Sequence, residues 1–265
     1  MSKIEEIRKR LMEQTKKQVQ EKFSGDESNL IKAVSSIETI DELSNMIYEQ
    51  AREWYALYFP ELGRAVKEPE IYLRLAYELC KRENFTKGKI IELYKNEKKA
   101  EEIERLSKNS LGAEISEETL SEIKVLCLNA LNLKEEKKYL ANYTDILAKK
   151  IMPNISHIAG TMLAARLLAK AGSLKKLAIM PASAMQVLGA DKAIFAHLRQ
   201  GARSPKHGLI FHNPMISEAP RNERGRIARI LSSKLAIAAK ADYFSKNFIA
   251  EGLKKEMSKK LLMLK

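Results

Sequence analysis

Apolar residues recur at alternating intervals of three and four through much of the first half of the chain, and no run alternates with the period of a strand. Between about residues 28 and 59 this pattern forms one seam, made of Ala33, Ile37, Ile40, Ser44, Ile47, Ala51, Trp54 and Tyr58. A repeat of 3.5 residues is typical of a coiled coil. Pro60 ends the predicted helix, because proline cannot continue an α-helix.

A second long helix is predicted from Ser116, which suits an N-cap, to about residue 151. Its apolar positions follow one seam and then, after a slip in phase, another: Leu120, Ile123, Cys127, Ala130, and Leu133, Leu140, Tyr143, Leu147. Shorter, highly charged helices occupy residues 66–110 between the two long ones. This order predicts an antiparallel coiled-coil arm with a helical tip, and such an arm commonly pairs two copies of a protein.

After Pro153 the composition changes to Ala, Gly, Leu and Met. Short helices are predicted at about 157–170, 183–188, 191–200, 223–240 and 243–263. The predicted fold class is therefore all-α in three parts. Residues 1–27 form a short N-terminal helix, residues 28–151 a coiled-coil dimerisation domain, and residues 152–265 a compact helical binding domain.

The distribution of charge separates the two halves. The net charge is +13, but residues 151–265 hold 20 Lys and Arg against 6 Asp and Glu, whereas residues 1–150 hold 27 against 28. A basic half attracts a polyanion, and nucleic acid is the usual one, because neutralised phosphates release counterions. The alternative is a basic domain whose charge serves solubility alone.

Several classes of function are disfavoured. The chain has no glycine-rich phosphate loop, zinc-protease motif or nucleophile elbow, and its four histidines are not spaced as metal ligands. No apolar run reaches the roughly 18 residues that span a bilayer. Cys80 and Cys127 are expected to be reduced core thiols of a cytoplasmic protein. We therefore expect no catalysis, metal, cofactor or membrane contact.

The first basic element is the turn at Gly189 and Ala190, followed by a helix. Asp191 is expected to cap that helix, which would leave its backbone N–H groups available to a phosphate or a carbonyl. Lys192 and Arg199 lie seven residues apart, on one face. An ordinary capped surface helix is the alternative.

The second basic element is the loop 201–208. Arg203 and Lys206 can pair with phosphates, and His207 can stack on an unpaired base. The third is the helix after Arg221, where one face is basic and the other apolar. The basic face has Arg226, Arg229, Ser233 and Lys240, and the apolar face, directed to a core, has Ile227, Leu231 and Leu235.

These elements fall within motifs that together resemble the Nop family. The resemblance covers about residues 28–260, with the motifs in order and correctly spaced. They are Arg52-Glu53-Trp54-Tyr55, Phe59-Pro60-Glu61-Leu62, Pro153-Asn154, Met180-Pro181, Leu188-Gly189-Ala190-Asp191-Lys192, Pro205-Lys206-His207-Gly208, Gly225-Arg226-Ile227-Ala228-Arg229 and Asp242-Tyr243-Phe244.

The resemblance implies a core subunit of an archaeal-type box C/D ribonucleoprotein, which guides RNA 2′-O-methylation and would be nucleolar in a eukaryote. The Nop domain of this family recognises a composite surface, the kink-turn of a guide RNA together with a small ribosomal-type protein bound to it. The coiled coil pairs two copies, and an N-terminal α/β domain holds fibrillarin, the methyltransferase that uses S-adenosylmethionine.

Carried over to this chain, the family pattern places Gly189, Ala190 and Lys192 at the composite surface, together with Lys206 and His207. His207 would be the base-stacking residue, and Arg226 and Arg229 would follow the RNA backbone. The family usually has Glu where Asp191 stands, and the shorter acid keeps the charge but changes its reach. The family often has Arg where Ala196 stands, so one contact is expected either to be lost or to move to Arg199.

The first 27 residues are too few for the family's α/β domain. Either fibrillarin binds a reduced N-terminal helix, or the chain is a shortened form, or this member does not bind fibrillarin. Two alternatives to the box C/D scaffold remain open. One is a kink-turn binder that recruits no methyltransferase, and the other is a plain coiled-coil interaction protein.

Overall fold

The computed structural model describes the backbone of residues 3–263, and the side chains of residue 5, residues 7–16 and residues 25–263. Over this range the protein is helical, with no strand, which confirms the predicted all-α class. The α-helices are α1 Lys3–Ser24, α2 Asp26–Tyr55, α3 Leu62–Ala65, α4 Pro69–Glu78, α5 Lys87–Tyr94, α6 Glu97–Lys108, α7 Glu117–Ile151, α8 Pro153–Ala159, α9 Thr161–Ala171, α10 Leu174–Ile179, α11 Ala182–Val187, α12 Asp191–Gln200, α13 Pro214–Ser217, α14 Arg224–Lys240 and α15 Ala250–Leu262. Short 3-10 turns lie at Arg82–Asn84 and Leu209–His212, and a π-helical turn lies at Ala241–Ser245.

The chain divides into two compact units. The first, here called the split unit, combines Met1–Ser36 with Leu140–Lys265, and the second, the continuous unit, is Ile37–Tyr139. Both long helices, α2 and α7, contribute residues to each unit. The predicted division at residues 27 and 151 stays a prediction.

The continuous unit buries an aromatic core. Tyr48 and Tyr55 of α2 lie edge-on to Tyr72 of α4, with ring centroids 5.9 Å and 6.4 Å apart. The Tyr55 hydroxyl donates to the carbonyl of Cys80 at 2.6 Å, so its polar end is satisfied. Asp41, near the middle of α2, forms an ion pair with Lys137, near the middle of α7.

The buried seam of α2 differs in part from the predicted one. Ala33, Ile37, Ser44, Ala51 and Tyr58 are buried as predicted, although Tyr58 lies beyond the helix end at Tyr55. Val34, Tyr48 and Tyr55 are also buried, each one residue later along the chain than a position of the predicted seam. Trp54 is 38% exposed, so its assignment to the seam was wrong. Tyr55 is buried there instead, with its hydroxyl satisfied by the Cys80 carbonyl.

The split unit is built around α14. This helix packs against α8, α10, α11 and α15, and it buries Ile227, Leu231 and Leu235 as predicted. In the same unit, Asp26 at the start of α2 pairs with Lys150 near the end of α7 at 2.6 Å. The core side of α14 therefore fixes which of its residues reach the surface.

The last helix begins seven residues later than the predicted residue 243. Asp242, only 1% exposed, accepts hydrogen bonds from the backbone N–H of Asn154 and Ile155 and from the Asn154 side-chain amide, at 2.7–3.0 Å. Burial raises the pKa of this carboxyl, and the three donors oppose that rise. The chain then leaves the π-helical turn at Lys246, whose φ is +58°, before α15 starts. Asp242 thus caps α8 at the expense of a continuous C-terminal helix.

The described residues also bear on thiol chemistry, metal binding and membrane insertion. Cys80 and Cys127 are free thiols, and burial raises the pKa of Cys127 to about 12. Within the described part of the chain, no cluster of His, Cys, Asp and Glu is arranged to hold a metal ion. Of the helices described, none combines the length and apolar character needed to cross a membrane.

Candidate functional site

The loop 201–208 and the start of α14 form one concave surface, here called the basic cavity. Its volume is about 340 Å³. The structure therefore brings together three of the predicted cations, Lys206, Arg226 and Arg229, from two separate sequence elements. The lining residues are Gln186, Ser204, Pro205, Lys206, Asn222, Gly225, Arg226 and Arg229.

Hydrogen bonds with Gln186 of α11 hold this loop in place. The side-chain amide of Gln186 donates to the Lys206 carbonyl at 2.7 Å, and the Gln186 carbonyl accepts from the N–H of Gly208 at 2.8 Å. A Cβ atom at Gly208 would lie 2.1 Å from the carbonyl oxygen of Leu188, so only glycine permits this approach. Sequence reasoning missed Gln186 and Asn222 as site residues. The one available signal was a lone amide within the otherwise small and apolar α11.

His207 lies half-buried beside the basic cavity. Its ring stacks on Phe211 with centroids 4.6 Å apart and planes inclined by 16°. Arg224 lies 5.4 Å from the same Phe211 ring and is anchored by the carbonyls of Ser217 and Ala219. Partial burial, and then the charge of Arg224, lower the pKa of His207, which favours the neutral imidazole. One face of the ring is thus occupied by Phe211, and stacking of an RNA base on the other face stays a prediction.

The helix α12 follows Gly189, whose φ of +84° suits glycine. Asp191 does not cap it, which corrects that expectation. Ala190 occupies the cap position and Asp191 is the first helical residue, where it forms an ion pair with Lys170. None of the ten residues of α12 is buried.

The exposed face of α12 combines an aromatic ring with positive charge. The Arg199 guanidinium lies 4.3 Å from the centroid of the Phe195 ring, a cation–π contact. Lys192, Phe195, Ala196 and Arg199 line a shallow cavity of about 460 Å³. Lys192 and Arg199 therefore share one surface, as their spacing predicted, and this surface is separate from the basic cavity.

Two of the predicted cations, Arg203 and Lys240, do not line either cavity. Arg203 is exposed in the loop next to Ser204. Lys240 is exposed at the far end of α14, eleven residues after Arg229, which corresponds to about 16 Å along the axis. The arginines of the site are available to an external anion. Among the described residues, no carboxylate forms an ion pair with Arg199, Arg203, Arg226 or Arg229.

The fold and the site define an all-α binding protein with a preformed cationic surface. A family model described as "snoRNA binding domain, fibrillarin", named Nop, matches residues 36–262. Because this match spans most of the chain, the protein belongs to the Nop family.

The relatives agree with this assignment. An uncharacterised NOP5 family protein of Methanocaldococcus jannaschii is 42% identical over 261 residues, covering 97% of this chain and 63% of that protein. Human nucleolar protein 58 is 33% identical over 228 residues, covering 85% of this chain and 43% of that protein. The chain thus spans less than two thirds of either relative.

A solved structure has a similar fold. It is a chain from the crystal structure of a fibrillarin/Nop5p complex, with a TM-score of 0.57 and 25% sequence identity. The match covers 99% of this chain and 79% of that one. The Nop-family resemblance inferred from the sequence motifs is therefore confirmed.

Proposed function

We propose that this protein is a scaffold of a box C/D guide ribonucleoprotein. In this role it binds a composite surface, the kink-turn of the guide RNA together with the small protein bound to it, and supports RNA 2′-O-methylation by fibrillarin. The protein binds and positions its partners and catalyses nothing itself, so S-adenosylmethionine belongs to the methyltransferase. The particle would be cytoplasmic in an archaeal-type cell and nucleolar in a eukaryote.

The observation that carries the proposal is the convergence of Lys206, Arg226 and Arg229 on the basic cavity. Guanidinium groups bind phosphate with two parallel hydrogen bonds, and a concave arrangement lets several cations contact one stretch of backbone. The loop carrying Lys206 is held by Gln186, so its cations need little reordering on binding. We assign the RNA backbone to this cavity.

We assign the composite part of the surface to α12. Lys192, Phe195 and Arg199 are exposed there, and a mixture of aromatic and guanidinium groups is typical of protein interfaces. Gly189 and Ala190 form the turn before this helix, and their small size allows a partner to approach the backbone closely. Binding to both the RNA and its bound protein would then require α12 and the basic cavity together.

We also propose that two copies pair through the long helices. In the continuous unit, α2 exposes Leu43 and Met46, and α7 exposes Tyr139. Exposed apolar side chains on helices of this length are suited to a helical dimer interface. Light scattering at micromolar concentration should give twice the chain mass, and Leu43→Glu with Met46→Glu should give the monomer mass.

Fibrillarin is the proposed methyltransferase partner. The support is the description of the matching family and the similar chain from a fibrillarin complex. A pull-down of purified fibrillarin by this chain tests it directly. Retained kink-turn binding without fibrillarin capture would instead favour a kink-turn binder that recruits no methyltransferase.

The central test is a gel shift with a kink-turn RNA at physiological salt, with and without the kink-turn-binding protein. We expect a supershift only when that protein is present. Arg226→Ala with Arg229→Ala should abolish the supershift. Lys175→Ala with Lys176→Ala removes equal charge from exposed residues of α10 in the same unit and should preserve it.

Two results would contradict this proposal. Tight, sequence-specific binding to the RNA alone would exclude the composite surface. No supershift with any form, alongside intact dimerisation, would favour a plain coiled-coil interaction protein.

A further inference from the structure

A second surface of the split unit carries aromatic side chains that its core does not use. Phe244 is 63% exposed and Phe248 is 53% exposed, in the short segment between α14 and α15. The ring of Phe248 contacts exposed His157 of α8 edge-on, with centroids 5.5 Å apart. The ring of Phe244 contacts Tyr243 in the same way at 4.8 Å. We call Phe244, Phe248 and His157 the aromatic platform.

The backbone beneath the aromatic platform is fixed by buried hydrogen bonds. The Asn154 side chain accepts from the N–H of Ile249 at 2.7 Å and donates to the carbonyl of Asn247 at 2.8 Å. Its amide also donates to Asp242, which is anchored to α8. The segment that carries the two exposed phenylalanines is therefore held at both ends, and a ligand would find their backbone already ordered.

The charge along the sequence that carries and flanks the two phenylalanines favours an anionic ligand. From residue 240 to residue 255, four lysines are exposed, at 240, 246, 254 and 255. Against them stands one exposed acid, Glu251, because Asp242 is buried and engaged by Asn154. Exposed rings interleaved with lysines match the chemistry of single-stranded nucleic acid, whose bases stack on aromatic faces while its phosphates meet cations.

The aromatic platform is separate from the basic cavity. Lys240, which adjoins it in sequence, lies fourteen residues after Arg226, or about 21 Å along α14. Phe244 and Phe248 are four residues apart, so their Cα atoms lie within about 14 Å. One ligand can therefore contact both rings without occupying the cavity.

We propose that the aromatic platform binds unpaired nucleotides of an RNA strand, with Phe244 and Phe248 as stacking residues. This inference goes beyond the kink-turn contact and does not require it. A protein partner would bury the same rings as apolar surface and would not need them to be aromatic. A requirement for aromatic side chains therefore distinguishes an RNA ligand from a protein partner.

The test is fluorescence anisotropy with a labelled twelve-nucleotide single-stranded adenylate RNA and the full chain. Wild type should bind, and Phe244→Leu with Phe248→Leu should weaken binding about tenfold or more, since a stacked base contributes on that scale. Phe244→Tyr with Phe248→Tyr should restore it, because tyrosine also stacks. The leucine pair keeps apolar side chains at exposed positions, so loss of folding is not expected, and circular dichroism verifies that.

The outcome is independent of the kink-turn assignment. Arg226→Ala with Arg229→Ala should lose the kink-turn supershift yet keep most of the single-strand affinity, and the leucine pair should show the reverse. Equal single-strand affinity of the leucine pair and wild type would overturn the proposal. So would a 4-thiouridine strand that crosslinks elsewhere and not to residues 241–250.

Discussion

The two compact units use the same charged residue types in different ways. The continuous unit has 17 Lys and Arg against 21 Asp and Glu, whereas the split unit has 30 against 13. In the continuous unit many of the cations have a carboxylate partner in the same unit. Lys87 lies 3.0 Å from Glu97 and 2.6 Å from Glu101, and Arg82 meets Glu114.

The split unit pairs some cations, such as Lys150 with Asp26, but leaves those of the basic cavity open to solvent. In the basic cavity, Lys206, Arg226 and Arg229 have no carboxylate partner among the residues described. Excess positive charge that repels itself lowers stability, so a surface of this kind is consistent with an external anion. The difference teaches that cations paired with carboxylates stabilise the fold, whereas unpaired cations are available for binding. The number of cations alone does not distinguish the two.

The largest expected effect concerns a charged residue of the split unit, Asp242, that holds the fold together. Asp242→Ala should lower the free energy of unfolding by about 3–5 kcal/mol, because it strands buried donors of Asn154 and Ile155. Urea denaturation followed by circular dichroism measures it. Glu251→Ala, an exposed acid nearby, should change the stability by less than about 0.5 kcal/mol. Equal effects of the two changes would contradict the capping role of Asp242.

The next effect tests the binding side. Arg226→Ala with Arg229→Ala should weaken assembly on the kink-turn particle by about 3 kcal/mol, because two charge-assisted contacts are lost. The slope of affinity against salt should become shallower by about two phosphate contacts. Unfolding should be unaffected, since both side chains are exposed. If the double variant lost stability as well as affinity, these arginines would have a structural role instead of a binding role.

Substitution of Arg82 is the matching test in the continuous unit. Its guanidinium donates to the Gly112 carbonyl at 2.9 Å, lies 4.3 Å from the centroid of the Tyr58 ring and pairs with Glu114. Arg82→Ala should therefore cost about 2 kcal/mol of stability. RNA-particle affinity should stay at the wild-type value in the gel shift. Weaker binding with unchanged stability would break the comparison between the units.

His207→Ala should weaken assembly by about 1–3 kcal/mol, the usual contribution of one stacked base. His207→Phe keeps a stacking ring and should retain most of the affinity. Titration of the assembled RNA with each form measures the difference. If the alanine form binds as tightly as wild type, the role assigned to His207 is wrong.

The smallest effect is a pH dependence. Because burial and Arg224 lower the pKa of folded His207, the unfolded chain takes up its proton first as the pH falls. The contribution of the neutral ring to stability is therefore present above about pH 6.5 and is lost as the pH falls through the lower folded pKa. Comparison of urea midpoints at pH 7.5 and 5.5 should show a larger loss for wild type than for His207→Gln. Identical losses would remove His207 from the set of pH-sensitive groups.

The predictions from sequence succeeded where a periodic pattern faces a core. Ile227, Leu231 and Leu235 are buried because α14 presents one apolar stripe, and its opposite face then exposes Arg226 and Arg229. The same reasoning placed Trp54 in the seam of α2, where Tyr55 is buried instead. Hydropathy alone favours burial of tryptophan over tyrosine. The Tyr55 hydroxyl bonds to the carbonyl of Cys80, a residue 25 positions away that no local pattern predicts as its partner.

The errors at the site had a similar origin. Asp191 has the residue type of a cap, but Lys170 draws its carboxylate away. The helix predicted from residue 243 is interrupted because Asp242 bonds to α8, some 88 residues earlier in the chain. Gln186 was missed because its bond to the Lys206 carbonyl joins two segments that no local pattern links.

The absence of any buried side chain in α12 has a thermodynamic consequence for this region. A ten-residue helix with no fully buried side chain is marginal in water, so its local opening costs far less free energy than unfolding of the α14 core. Its amide hydrogens should therefore exchange rapidly with deuterium in the free protein. A partner that docks on Phe195 and Arg199 would slow that exchange, which makes α12 a reporter of occupancy as well as a contact surface.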